Sequence, residues 1–232
     1  MYHAIKITAL ALAVSFAAPM FAEDAKPFAD ATQIDLTALL PTPPATGSAA
    51  MNAELAQVLT IQVTRTEAQA ARAVADDAED AWVFSDVIAN PKFTKENLPK
   101  FTAFFDRVTA TEGAVVDPSK KIWARPRPYM YSELVMPLLD KSKSGAYPSG
   151  HATVGTLMGI VLANMVPEKH TEIMARAWEY GQNRVVAGMH FPTDIEAGHI
   201  SGSVIAETIM AHPDFIDEFA AAKTELRAAL GL

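Results

Sequence analysis

The sequence predicts an all-α protein: a single compact helical-bundle domain with an extended, Pro-rich N-terminal arm. Apolar residues recur at helical spacing through most of the 232-residue chain, whereas alternating β patterns are nearly absent. Hydrophobic residues make up 50% of the chain and charged residues 20%, which excludes a disordered protein and provides enough apolar side chains for one core.

Residues 1–22 have the pattern of a secretory signal peptide. Lys6 is the only formal charge before Glu23, and the run from Ile7 to Ala22 is uncharged and mainly apolar. Because this run is shorter than the ~20 residues that a membrane-spanning helix needs, we predict cleavage near Ala22 and export of the remaining chain. The alternative is an uncleaved N-terminal anchor.

The chain after residue 22 divides into an arm, residues 23–48, and a helical domain, residues 49–232. The arm contains Pro41-Thr42-Pro43-Pro44, and proline fixes φ and lacks an N–H donor, so we expect an extended and protruding segment. The next stretch is rich in Ala, Glu, Gln and Arg, which favours one helix over about 49–81. This helix is expected to continue through 82–88 and to break at Asn90-Pro91.

Further helices are predicted from the apolar periodicity at residues 100–110, 149–165, 168–186, 194–211 and 214–230. Thr193 is the expected N-cap of the helix that starts at 194. Within 149–165, Ala152, Gly155 and Gly159 form a small-residue face that allows another helix to approach closely. Because glycine costs about 1 kcal/mol in a helix interior, packing must favour it there.

The composition also limits the chemistry. The chain has no cysteine, which excludes a disulfide scaffold, an iron–sulfur cluster, a thiolate zinc site and a cysteine nucleophile. Its net charge of −8 argues against a nucleic-acid binder, which usually presents a basic face. Three local clusters carry the candidate functional residues.

The first cluster is the basic segment Lys120–Pro128, in which four of nine residues are cationic. It is either a solvated basic patch or an anion site. Arg127 offers a planar fork that matches phosphate oxygens, and Lys120 adds a point charge. The two prolines would hold these cations in place before an anion arrives.

The second cluster, Tyr147–His151, lies at the start of a predicted helix. A helix N-terminus presents free N–H groups and the positive end of its dipole. Gly150 would let an anion approach the backbone, and Ser149 can donate from its hydroxyl. His151 in the first turn can face the ligand, although a helix cap with a solvent-facing histidine is the alternative.

The third cluster, Asn183–Asp194, contains His190 and Asp194 four residues apart. An aspartate at the start of a helix can reach back to an imidazole, fix its tautomer and leave the other nitrogen as a nucleophile. The alternatives are a surface His–Asp pair and a metal site formed by His190, Asp194 and His199. That spacing matches no common zinc pattern.

Read in order, the clusters form one composite motif: K-x6-R-P, then P-S-G-H, then R-x5-H-x3-D. In this motif the chain resembles the bacterial class A non-specific acid phosphatases, which belong to the type 2 phosphatidic acid phosphatase superfamily. Vanadium haloperoxidases share that site. The motif spans residues 120–194, and it departs from the family pattern at Asn183, where Ser is usual.

The resemblance implies a periplasmic enzyme that hydrolyses small phosphate monoesters through a phosphohistidine, with phosphotransfer to an alcohol as a further activity. It implies no metal and no other cofactor, and activity at acid pH. The implied catalytic residues are His190 as nucleophile, Asp194 as its orienting carboxylate and His151 as general acid. The implied phosphate-binding residues are Lys120, Arg127, Ser149, Gly150 and Arg184.

Three other functions remain open from the sequence. A vanadate-dependent haloperoxidase would hold vanadate in the same cradle, with His190 as its ligand. A membrane lipid phosphatase would need several apolar spans, but the longest apolar stretch after residue 22 is Thr153–Val166, below spanning length. A non-catalytic periplasmic anion-binding module would keep the cations without needing both histidines. No nucleic-acid partner is expected, and an Ala-rich surface with a protruding arm suggests a homodimer.

Overall fold

The computed structural model describes residues 25–232, and every regular element in that range is a helix, as predicted. The predicted signal peptide lies outside the described residues. Among residues 25–232, no helix is both long enough and apolar enough to cross a membrane. The α-helices are α1 Leu36–Leu39, α2 Ala49–Thr64, α3 Glu67–Ala75, α4 Ser85–Ile88, α5 Pro99–Trp123, α6 Pro128–Tyr131, α7 Gly150–Met165, α8 His170–Val186, α9 Pro192–Met210 and α10 Pro213–Leu230, with 3-10 turns at Ala81–Phe84 and Pro167–Lys169.

Helix α7 is the centre of the bundle, and most of its residues are buried. Its small-residue face packs on α8, because a Cβ added at Gly155 would lie 2.5 Å from the Tyr180 ring and one at Gly159 would lie 2.6 Å from the Ala177 Cβ. On α9, a Cβ at Gly202 would lie 2.5 Å from the Thr153 carbonyl oxygen. The predicted close approach of helices is therefore confirmed on both sides of α7.

The N-terminal arm packs against this bundle and does not protrude. Its residues Phe28, Ile34 and Leu36 are buried in the main core. The Phe28 N–H donates to the Thr111 hydroxyl of α5 at 2.9 Å, and the Arg107 guanidinium stacks on the Phe28 ring. Residues 41–45 belong to no helix, as expected from the prolines. The arm buries apolar area that the sequence pattern had not assigned to the core.

Two helix predictions in the first half were wrong in their bounds. The single helix expected over 49–81 is two helices, because Arg65 ends α2 and Thr66 forms a capping box with Gln69 at the start of α3. Helix α5 runs from Pro99 to Trp123, well past the expected end at residue 110, with Pro118 inside it. Buried contacts of α5 with the core outweigh the hydrogen bond that Pro118 cannot make.

The helices of the second half begin and end within two residues of their predicted bounds. The exception is the cap of α9, because Thr193 is not its N-cap. The helix begins at Pro192, whose fixed φ suits the first helical position. Asp194 then accepts from the Phe191 N–H at 2.8 Å, which satisfies one donor at this helix end.

Candidate active site

One cavity of about 220 Å³ collects most of the predicted functional residues. It lies where the first turn of α7 meets the last turns of α5 and α8 and the turn before α9. Ser149 and Asp194 lie behind its wall, joined by a hydrogen bond of 3.0 Å from the Ser149 N–H to the Asp194 carbonyl. The predicted site residues that line the cavity are Lys120, Arg127, Gly150, His151, Arg184 and His190.

His190 is buried and held between a carboxylate and a guanidinium. Its Nδ1 lies 3.3 Å from Asp194 Oδ2, and its Nε2 lies 3.0 Å from Arg127 Nη1. A guanidinium can only donate, so Nε2 must be the acceptor and the proton sits on Nδ1. Burial, and then the positive charges of Arg127 and Arg184, hold the pKa of His190 well below its usual range. The ring is therefore neutral, with its Nε2 lone pair facing the cations.

Asp194 is held in turn by residues that the sequence analysis did not assign to the site. Arg125 forms an ion pair with Asp194 Oδ1 and a second one with Glu54 of α2 at 2.6 Å. Glu54 also accepts from the Thr193 N–H at 2.8 Å. Burial raises the pKa of the Asp194 carboxyl, while Arg125 and the Phe191 N–H favour its ionised form. Arg125 lies in the predicted basic cluster, but nothing in the sequence pattern links Glu54 to it.

The three predicted cations reach the cavity from different elements. Lys120 is in the last turn of α5, Arg127 precedes α6 and Arg184 is in the last turn of α8. Arg127 donates through Nε to the Ser144 carbonyl at 2.9 Å, and Arg184 donates to Asp77 Oδ1 at 3.1 Å. Within the described chain, the buried Nε of Arg184 has no hydrogen-bond partner. Arg184 thus keeps one donor that no described protein group uses.

His151 meets two acidic residues that the sequence analysis missed. Its Nδ1 lies 2.7 Å from Glu79 Oε1, and its Nε2 lies 3.2 Å from the Asp77 carbonyl oxygen. Its ring also stacks on Tyr180 of α8, with centroids 5.6 Å apart. Asp77 and Glu79 both line the cavity. The sequence analysis did not identify them, because the Ala-rich composition predicted one continuous helix through these positions.

The remaining singled-out residues have other contacts. Ser149 is buried, and its hydroxyl accepts from the Ala152 N–H at 3.3 Å as the N-cap of α7. Asn183 donates to Asp76 at 2.7 Å and does not line the cavity. His199 contacts the Thr156 hydroxyl at 2.8 Å and stacks on Trp178. Among residues 25–232, no group of three His, Cys, Asp or Glu side chains is arranged to hold a metal ion.

Comparison with known proteins identifies the family. The PAP2 superfamily model matches residues 107–215. A non-specific acid phosphatase of Salmonella typhimurium is 35% identical over 155 residues, which are 63% of this chain and only 60% of that protein's length. A non-specific acid phosphatase of Providencia stuartii is 31% identical over 202 residues, 83% of this chain and 81% of that protein.

A solved structure shows the same fold. It is the crystal structure of a transmembrane PAP2-type phosphatidylglycerolphosphate phosphatase from Bacillus subtilis, with a TM-score of 0.51 and 20% sequence identity. The match covers 79% of this chain and 91% of the Bacillus chain.

Proposed function

The chain belongs to the class A non-specific acid phosphatases of the PAP2 superfamily, and from this we propose that it hydrolyses phosphate monoesters through a phosphohistidine at His190. One observation carries the proposal: a single cavity holds a neutral histidine whose Nε2 lone pair faces the cations, three cations and a second histidine with acidic partners. Such an arrangement supplies a nucleophile, an anion cradle and a proton donor at once.

The cradle binds the phosphate before any bond changes. Lys120, Arg127 and Arg184 surround the equatorial oxygens, where charge is spread in phosphoryl transfer. The Arg184 guanidinium, which lines the same cavity, can donate to this anion. The N-terminus of α7 adds the Gly150 N–H and the positive end of a sixteen-residue helix, and the Ser149 hydroxyl can donate from behind it.

The first chemical step forms a P–N bond and breaks the P–O bond to the leaving group. His190 Nε2 attacks phosphorus in line, and Asp194 stabilises the Nδ1–H as positive charge develops on the ring. The leaving oxygen takes a proton from His151, which becomes neutral. The products of this step are an alcohol and the phosphohistidine.

The second step reverses these roles. Neutral His151 removes a proton from water, the water oxygen attacks phosphorus, and the P–N bond breaks to release phosphate and neutral His190. An alcohol bound in place of water would take the phosphoryl group instead, which is the phosphotransferase activity that the family suggests. The cycle regenerates protonated His151 and needs that state at its start, so activity favours acid pH.

We propose further that catalysis needs no metal ion, because three fixed cations provide the charge that a metal supplies in other phosphatases. The proposed substrates are small, freely diffusing phosphate monoesters. We also propose export to the periplasm, on the signal-peptide pattern of residues 1–22.

Hydrolysis of p-nitrophenyl phosphate at acid pH tests the function. Removal of the nucleophile in His190→Ala should lower kcat by about 10³-fold or more, with circular dichroism unchanged. His170→Ala is the matched control, because His170 is exposed at the start of α8, outside the cavity, and should keep wild-type turnover. Wild-type activity should survive EDTA. A folded His190→Ala protein with near-normal turnover would overturn the proposal, as would loss on chelation that zinc restores.

A further inference from the structure

The segment Asp76–Asp80, between α3 and the 3-10 turn at 81–84, is fixed to α8 through the side chain of Asp76 and the carbonyl of Ala78. Asp76 forms an ion pair with Arg176 and accepts from Asn183 at 2.7 Å. The Ala78 carbonyl accepts from the Tyr180 hydroxyl at 2.6 Å. Because Asp76 and Ala78 are tied down, the residues between and beyond them, Asp77 and Glu79, are directed to the cavity.

The two polar partners of His151 are both hydrogen-bond acceptors. The Asp77 carbonyl oxygen at 3.2 Å from Nε2 can only accept, and the Glu79 carboxylate at 2.7 Å from Nδ1 accepts when ionised. Both contacts are hydrogen bonds only if both ring nitrogens carry protons. This is the opposite of His190, whose Nε2 faces a donor. The two histidines of one cavity thus face hydrogen-bond partners of opposite kinds.

Positive charge around His151 makes its counter-ion important. Lys120 of α5 and Arg184 of α8 line the same cavity, and both disfavour an imidazolium. The Tyr180 ring covers one face of His151, and Asp77 Oδ1 lies 3.8 Å from Nε2 but is also bound to Arg184.

The other neighbours of His151 supply no better counter-charge. His190, across the cavity, is neutral, and the buried carboxyl of Glu112 lies beneath the adjoining Gly150. Burial opposes ionisation of Glu79, but the hydrogen bond with His151 and the nearby cations hold the pKa of Glu79 below its usual range. Glu79 is therefore the anion that directly compensates the charge on His151.

We propose that Glu79 is a positioning residue that keeps His151 protonated and oriented as the general acid, an assignment that rests on the acid-phosphatase function proposed above. Glu79 acts on the proton of His151 and not on the phosphate. Its contribution should therefore grow with the basicity of the leaving group, since an alkoxide needs protonation more than p-nitrophenolate does.

Glu79→Gln tests this assignment, because the amide oxygen can still accept from Nδ1 while the charge is lost. The alkaline limb of the pH profile of kcat/KM should move to lower pH by about one unit or more. At a pH on the plateau, kcat/KM for glycerol phosphate should fall at least about tenfold more than for p-nitrophenyl phosphate. Glu79→Asp keeps the negative charge, so its alkaline limb should lie closer to the wild-type position than that of Glu79→Gln.

Asp140→Asn is the matched control, since Asp140 lines the same cavity without contacting His151. This variant also removes one negative charge. Its alkaline limb should move by less than half as much as that of Glu79→Gln. The ratio of kcat/KM between glycerol phosphate and p-nitrophenyl phosphate should stay as in wild type. Thermal unfolding of each variant shows whether it is folded. If Glu79→Gln is misfolded, the pH profile and substrate ratio of Glu79→Asp are compared with those of wild type instead.

An unmoved alkaline limb with equal losses for both substrates would overturn the assignment of Glu79, even where His190→Ala is inactive as proposed. Equal limb shifts in Glu79→Gln and Asp140→Asn would overturn it too, because they would show a general charge effect. Failure of the function itself has a different signature: wild-type protein without phosphatase activity, or an active His190→Ala variant.

Discussion

At the scale of single residues, hydrogen-bond partners distinguish the two histidines of the cavity. His190 faces the donor Arg127, and His151 faces the acceptors Glu79 and Asp77. The sequence predicted both histidines and Asp194, because their spacing within a motif is local. It could not predict Glu79, whose role depends on how a turn distant in sequence packs on α8.

Glu112 is a further titratable residue beneath the cradle. One of its carboxyl oxygens has no hydrogen-bond partner among the described residues, and a Cβ added at Gly150 would lie 2.9 Å from it and 3.0 Å from Lys120 Nζ. Burial raises the pKa of Glu112 to about 8, with Lys120 opposing the shift. The side chain is thus neutral in the folded protein at acid pH.

Glu112→Gln should therefore stabilise the protein in a pH-dependent way. The folded pKa lies above the unfolded value of 4.5, so the unfolded chain releases its proton first and wild-type stability falls as pH rises from about 4.5 to 8. The variant lacks this loss, and its advantage in free energy of unfolding should grow across that window to on the order of 4 kcal/mol. Thermal or urea unfolding at about pH 5 and pH 8 measures it; a constant difference between the two proteins at both pH values would contradict the account.

At the scale of the elements, glycines determine how closely the site-bearing helices meet. A Cβ added at Gly198 of α9 would lie 2.8 Å from the Ser149 carbonyl oxygen, next to the start of α7. This close approach brings the turn that carries His190 to the helix that begins at Gly150. The small residues of α7 were readable from the sequence, but their partners on α9 were not, since a glycine pattern alone does not say which helices pack together.

Gly202→Ala should destabilise the bundle by about 1–3 kcal/mol, because the new Cβ would meet the Thr153 carbonyl oxygen at 2.5 Å. Gly113→Ala on α5 is the matched control. Its nearest neighbour would be Asp117 Oδ2 at 4.0 Å, and alanine should stabilise the helix there by about 0.5–1 kcal/mol. Urea unfolding compares the two variants with wild type, and equal stability of both would contradict the packing described for α7 and α9.

Helix prediction failed where composition and local hydrogen bonds compete. The Ala-rich stretch over 49–81 favours helix, yet Thr66 caps a new helix and Asp80 accepts from the Trp82 N–H. Asp and Thr side chains offer the backbone partners outside a helix. The segment 76–80 that results carries Glu79, so an error in one helix boundary concealed a residue that lines the cavity and contacts His151.

At the scale of the whole molecule, the site extends beyond the segment that carries the family motif. The superfamily match begins at residue 107, but Glu54 supports Asp194 through Arg125, and Glu79 contacts His151. The N-terminal part of the chain thus completes the cavity. Cations also gather in that cavity, although the chain as a whole carries a net charge of −8. Composition alone excluded broad classes but could not reveal that these three cations share one cavity.

Trapping the covalent intermediate tests the central claim most directly. Wild-type protein mixed with p-nitrophenyl phosphate at acid pH is quenched in alkali, which preserves a phosphohistidine, and its peptides are analysed by mass spectrometry. We predict phosphate on the peptide that contains His190, localised to that histidine, and no phosphopeptide in His190→Ala. Phosphate on another residue, or steady turnover by wild type with no phosphopeptide while folded His190→Ala stays active, would contradict the account.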